Sequence, residues 1–269
     1  MPSASLTNRD LFILEKIKDP ESGPSAPVLI DSSLPRDPHI TDDVVYQKVT
    51  QSERAIISSM QDVELQIANL KPVVSDPLAQ YLSSVERLGE LVEEYPDYAS
   101  ARNNRAQALR RIYGDGILVK GNSENLTDEA TPLHNEASDE DLKAASYTIL
   151  DDLSSAISLL APATPFMAIS TQAAKTLSQA YTQRGAIYHL TAKHLSKQNT
   201  GLRIDPGRTE PKWSVVDFEE NASRDFMMGG RYGNEIAKAL AVSANPTAKL
   251  CGEMVREAMR KEYASGGVS

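Results

Sequence analysis

From Thr41 onward, apolar residues recur at three- and four-residue spacing, and no sustained two-residue alternation interrupts them. A half-buried strand needs that alternation, whereas a helix needs the 3.6 period. This one feature confines the chain to an all-α fold. Ala, Leu, Glu, Gln and Arg dominate, and these residues favour helix. The spacing predicts helices near 42–70, 76–95, 98–113, 139–161, 166–196, 213–229, 232–243 and 246–264. Two polar stretches, 116–138 and 197–212, carry turn formers and read as mobile surface insertions between paired helices.

Residues 1–40 read as an N-terminal arm. Thr7 can cap a short helix over Asn8–Lys18, with Asp10 placed as in a capping box. Leu11, Leu14 and Ile17 share one stripe, widened by Phe12 and Ile13, and Asp19-Pro20 stops it. Five prolines between Pro20 and Pro38 make the rest of the arm a linker.

Several function classes are excluded by composition. With 28 basic and 37 acidic residues the formal charge is −9, which disfavours nucleic acid as a partner. The single cysteine, Cys251, rules out an internal disulfide and a multi-cysteine metal cluster. No apolar run approaches the ~20 residues of a membrane span. The start lacks the basic-then-apolar pattern of a secretory signal. The expected compartment is therefore the cytoplasm, with the nucleus as a second, and no cofactor is expected.

Helix pairs invite a search for repeats. Tyr181-x2-Arg184-Gly185-x2-Tyr188 fits the first helix of a tetratricopeptide repeat, with Arg184 where Leu is usual. Arg102-x2-Arg105-Ala106-x2-Leu109 fits more loosely. Small residues at the Ala106 and Gly185 slots let antiparallel helices approach closely. Leu88, Leu91 and Pro96, and Ile149, Leu153, Ala156 and Pro162, fit second helices. The expected architecture is a tetratricopeptide-type right-handed solenoid of about three helix pairs, with a C-terminal capping helix and an N-terminal arm. Its domain spans 41–264, with repeats near 46–96, 98–162 and 166–229, capping helices over 232–264 and a tail at 265–269. A generic helical bundle satisfies the periodicity as well.

Catalytic and metal signatures are weak. His189 and His194 lie five residues apart and diverge by about 140° on a helix, which is poor ligand geometry. Gly229-Gly230-Arg231-Tyr232-Gly233 follows a helix and reads as a helix terminator, not a dinucleotide loop. Cys251 shares an apolar stripe with Leu250, Met254 and Val255 and reads as a buried structural thiol. Asp151-Asp152 and Glu219-Glu220 read as solvated helix faces. The conspicuous polar stripe is Asn103, Asn104, Gln107, Arg110 and Arg111, with Gln179, Gln183 and His189 on the corresponding third-repeat helix. On the concave face of a solenoid these groups would meet the backbone and carboxylates of an extended peptide. They read equally as a solvated face or as intramolecular caps.

The segment Tyr98-Ala-Ser-Ala-Arg-Asn-Asn-Arg-Ala-Gln-Ala108 resembles the Ala-Ser-Ala-Tyr-Asn-Asn-Arg-Ala-Gln-Ala of the tetratricopeptide repeat protein 36 family. The short arm helix through Asp19-Pro20, Gln183-Arg184-Gly185, and the end from Asn245-Pro246 through Leu250-Cys251 resemble further parts of it, in the same order. The resemblance implies three repeats with capping helices and a divergent member with two insertions. It also implies a non-enzymatic scaffold linked to tyrosine metabolism that protects a client enzyme from degradation. Chaperone binding is implied too. The two-carboxylate clamp that some tetratricopeptide domains use for chaperone C-termini needs five groups, of which only Asn104 is present. The other slots fall near Ile56 and Met60 and on Gln179 and Gln183, so the sequence argues against that mode and leaves a non-clamp mode open. The expected partner is a protein or extended peptide. A structural subunit of a larger complex is the alternative, and an enzyme is the rival class with least support.

Overall fold

The computed structural model describes residues 28–121, 131–164, 167–197 and 200–265, so the expected arm helix over 8–18 lies outside the described residues. Eight α-helices stand among the described residues: α1 Asp43–Ile67, α2 Pro77–Glu94, α3 Ala99–Tyr113, α4 Asp139–Leu160, α5 Thr171–Lys197, α6 Val215–Arg231, α7 Glu235–Ala244 and α8 Pro246–Ser265. No described residue belongs to a named strand; two isolated bridges, Ile30 with Ile169 and Val119 with Leu202, are the only extended pairing.

Local chemistry sets the boundaries. Asp76 caps α2 and Pro77 opens it, where a missing N–H costs nothing. Ser138 with Asp141, and Ser214 with Asp217, form reciprocal capping boxes for α4 and α6. The glycine cluster does more than terminate. α6 runs through Gly229 and Gly230, and the stop is Gly233, whose φ of +106° closes the end. The Gly233 N–H donates to Gly230 O at 3.0 Å and the Asn234 N–H to Gly229 O at 3.1 Å, a complete Schellman motif. A Cβ at Gly230 would stand 2.8 Å from Lys238 Cα, so these glycines let α6 and α7 touch backbone to backbone.

Each helix packs on the next, and α3 also touches α5. The main core lies between α3 and α7, around the fully buried Ile149, Leu150, Leu153, Leu177, Ile187, Phe218 and Phe226. Gly185 is buried against α6: a Cβ there would meet Phe226 at 3.1 Å and the Ala222 carbonyl at 3.2 Å. Ala106 is fully buried as well. A second cluster joins α1, α2 and α3 through Ile56, Val63, Leu88 and Ile112.

One stretch of each insertion is packed, contrary to the surface reading, while 131–138 stays at the surface. Ile117, Leu118, Val119 and Ile204 are buried. Lys120 N–H donates to Gly201 O at 2.8 Å and Arg203 N–H to Leu118 O at 2.7 Å, so the two segments pair as a miniature ribbon. The Arg203 side chain bonds Asp139 at 2.6 Å and also reaches Val119 O. Residues 28–40 form a strap. Asp31 N–H donates to Ile169 O and Ile169 N–H to Leu29 O. Ser170 Oγ donates to Arg36 O at 2.9 Å, and His39 Nε2 lies 3.0 Å from Leu159 O.

Candidate functional site

Helices α1, α3 and α5 expose one continuous groove. It comprises two adjoining cavities of about 620 Å³ and about 1010 Å³, which share Met60, Glu64, Tyr81, Gln107 and Gln179. The predicted stripe is there, though four of its five members, all but Gln107, are bonded within the protein. Asn103 is buried and donates to Gln179 Oε1 at 3.3 Å, while Gln183 Nε2 donates to Asn103 Oδ1 at 2.8 Å. These amides tie α3 to α5 directly. Asn104 donates to Glu53 at 2.8 Å, and the Tyr98 hydroxyl donates to the same buried carboxylate at 2.5 Å. Burial, and then the Glu53 charge, holds the Tyr98 hydroxyl well above the usual phenol range.

The expected basic strip is neutralised. Arg110 forks onto Asp115 at 2.7 and 2.8 Å and gives a third bond to Gln183 at 2.9 Å. Arg111 donates to Glu64 at 2.8 Å, and Tyr81 donates to the same oxygen at 2.6 Å. Sequence reasoning missed Glu53, Glu64 and Asp115. Only Asp115, five residues beyond Arg110, left a local signal. Among the described residues, no carboxylate pairs with Arg54 or Lys175, two exposed cations that line the groove. Gln107 is also exposed, with both ends of its amide available. His189 is not part of the groove. It stands six residues beyond Gln183, turned about 240° around α5. Its ring meets Phe226 edge-on at 6.2 Å, and burial, with Lys249 adding to it, holds its pKa below the ordinary 6.5.

The remaining candidates also resolve. Asp152 is no solvated face: its carboxylate is fully buried and forks with Arg105 at 2.7 and 2.8 Å, with Arg102 at 3.3 Å. Arg184 makes the equivalent fork to Asp225 at 2.7 and 2.9 Å. Burial pushes both aspartates above the usual carboxylate range against the pull of their arginines. Cys251 is exposed, because α8 turns its apolar stripe away from the core. Among the described residues no group of His, Cys, Asp and Glu is arranged to hold a metal, and no helix is long and apolar enough to cross a membrane. The groove can offer hydrogen bonds from amides and tyrosines, two unpaired cations and an apolar floor at Met60.

A protein of Aspergillus fumigatus named L-tyrosine degradation gene cluster protein hmgX is 36% identical over 262 residues, covering 96% of this chain and 93% of that protein. Tetratricopeptide repeat protein 36 of Bos taurus is 24% identical over 253 residues, 94% of each chain. The same-named protein of Xenopus tropicalis is 27% identical over 207 residues, 77% of this chain and 67% of that one. No protein-family model matches the chain, and no solved structure matches it.

Proposed function

The chain belongs to the tetratricopeptide repeat protein 36 family, and on that premise we propose that it is a non-enzymatic scaffold of tyrosine degradation that holds and stabilises a client enzyme. In this reading the helix pairs stack as a right-handed tetratricopeptide solenoid. Its groove on α1, α3 and α5 takes an extended segment of the client. The observation that carries the proposal is the amide and cation lining of that groove: Gln107, Arg54 and Lys175 face the cavity with no hydrogen-bond or ion-pair partner among the described residues. An extended peptide brings unpaired backbone groups and carboxylates, the complements of such a lining. The link to tyrosine degradation rests on the name of the Aspergillus relative. The compartment proposed is the cytoplasm.

The test is genetic and biochemical together. Removing the protein from its host is expected to lower the abundance of one tyrosine-degrading enzyme and to impair growth on tyrosine. The intact chain restores both, while Gln107→Glu/Lys175→Glu restores neither, although it keeps the parent's helicity and Tm. Full restoration by that variant would remove the groove from the account. Arg110→Glu and Arg111→Glu make poor probes, because they would set a carboxylate against Asp115 or Glu64 and disturb the fold itself.

A further inference from the structure

Five carboxylates are buried among the described residues. Three of them, Asp152, Asp225 and Glu210, are each paired with an arginine. Asp37 lies in the strap, where the His39 N–H donates to it, and neither groove cavity reaches it. Glu53 is different. It stands on α1 in the buried stripe of Val49, Ile56, Met60 and Val63, where the helix period calls for an apolar side chain. Only neutral donors meet it, the Tyr98 hydroxyl on one oxygen and the Asn104 amide on the other. Among the described residues no cation pairs with it. A buried charge without a counter-charge is costly. This one borders the larger cavity of the groove, an open space of about 1010 Å³.

We propose that Glu53 is the acceptor for an arginine side chain of the segment that the groove binds. The inference rests on the groove reading above and narrows it, from an extended segment in general to one that carries a guanidinium. Lone pairs select the group. A carboxylate has about four acceptor sites, shared between its two oxygens. Tyr98 occupies a site on one oxygen and Asn104 a site on the other, so each oxygen keeps a site. A guanidinium forks onto both oxygens at once, whereas an ammonium acts as a point charge. The walls suit the stem. Tyr46, Ile57, Met60 and Tyr98 line the same cavity, and the methylenes of an arginine pack along such surfaces while its head stays charged. Arg54 and Lys175 line the cavity too, but both are exposed, so water and salt screen them from the buried carboxylate. They are left for acidic neighbours of the arginine. The bound sequence is therefore one of both signs, an arginine flanked by acids.

A random phage-displayed peptide library, selected on the full chain, tests this. The selected peptides are expected to share an arginine and to lose binding to Gln107→Glu/Lys175→Glu, which marks them as groove ligands. In one such synthetic peptide, citrulline in place of the arginine keeps the shape and removes the charge. It should weaken binding to the parent by about tenfold or more. Against Glu53→Gln the same replacement should cost less than about twofold. That variant should keep the fold, since its carbonyl accepts from Tyr98 and its amide donates to Asn104 once the Asn104 amide turns over. A second measurement needs no variant: with lysine in place of the arginine, a water-soluble carbodiimide should join the peptide to Glu53 in the parent, read by peptide mapping. Groove peptides with no shared arginine, an equal citrulline loss in both proteins, or coupling to another carboxylate would overturn the arginine and leave the groove reading standing. Selected peptides that bind Gln107→Glu/Lys175→Glu undiminished, or no selected peptide at all, would remove the groove reading and this proposal together.

Discussion

In α3 an alanine, Ala106, is buried toward α4; in α5 a glycine, Gly185, is buried toward α6. The residue before each is an arginine, and each arginine forks onto a buried aspartate of the partner helix, Arg105 onto Asp152 and Arg184 onto Asp225. The tetratricopeptide pattern places a leucine at those arginine positions. Both pairs hold an ion pair where that pattern would put an apolar contact. They differ in how closely the helices meet. At Gly185 a methyl group would fit only if Phe226 and the Ala222 carbonyl gave way by a few tenths of an ångström, and Tyr188, Trp213 and Phe218 pack edge to face nearby. The small-residue slot therefore sets helix separation, while the ion pair fixes which faces meet. A buried ion pair adds little net stability over an apolar pair, whereas removing one partner leaves an uncompensated buried charge.

The largest expected effect tests the shared feature. Asp225→Ala should leave Arg184 buried without its carboxylate and cost about 3–5 kcal/mol in urea unfolding. Asp152→Ala should cost as much, since it strands Arg105, while Arg102 keeps Asp151 and the Pro96 carbonyl. A loss below about 1 kcal/mol in one of them would end the equivalence of the two pairs. Removing both partners at once, as Arg184→Leu/Asp225→Leu, should recover most of the stability.

The second effect tests the difference. Leucine at either Ala106 or Gly185 should overpack by about 1–3 kcal/mol or more. Alanine separates the sites: Gly185→Ala pushes its methyl onto the Ala222 carbonyl and should lower the Tm. Ala106→Gly should cost only about 1 kcal/mol, through backbone entropy. If Gly185→Ala is neutral, the closer approach of α5 and α6 is not what the glycine provides.

A smaller effect concerns the ribbon that ties the two pairs together. Arg203→Ala removes the bonds to Asp139 and Val119 O and should release about 1 kcal/mol. That change should appear as several-fold faster proteolysis between 200 and 212 with little shift in Tm. The smallest effect is confined to the third pair. His189 occupies the register position of Arg110. With its pKa held below 6.5, His189 is neutral in the fold, and the unfolded chain binds the extra proton. Stability should therefore decline as pH falls from about 6.5 through the depressed value. His189→Gln should flatten that slope in pH-resolved melts.

Much of this fold was legible in the sequence, because helix ends are decided within four residues. Ser138, Ser214 and Asp76-Pro77 announce α4, α6 and α2 without reference to anything distant. Gly185 was legible for the same reason, as a small residue in a fixed local pattern. The pairs Arg105–Asp152 and Arg184–Asp225 were not, since each joins residues about 40 or more positions apart and nothing in either neighbourhood names its partner. Asp152 thus looked like any exposed acid. The run Ile117-Leu118-Val119 is too short to display a period, so a buried segment passed for surface. In the groove, the stripe of amides and arginines was visible, but its carboxylates came from α1 and from beyond the end of α3. Cys251 failed differently: its stripe was read correctly, and the helix presents that stripe outward.

The strap has a consequence for cooperativity. In a stack where each helix pair touches only its neighbours, the ends fray independently and stability is nearly a sum of local terms. Here the contacts from Arg36 to Ser170 and from His39 to Leu159 join residues 134 and 120 positions apart. They tie the segment that leads into α1 to the corner between α4 and α5. Releasing α1 from the stack means breaking that corner contact as well, so the first helix pair and the middle of the molecule should melt as one unit.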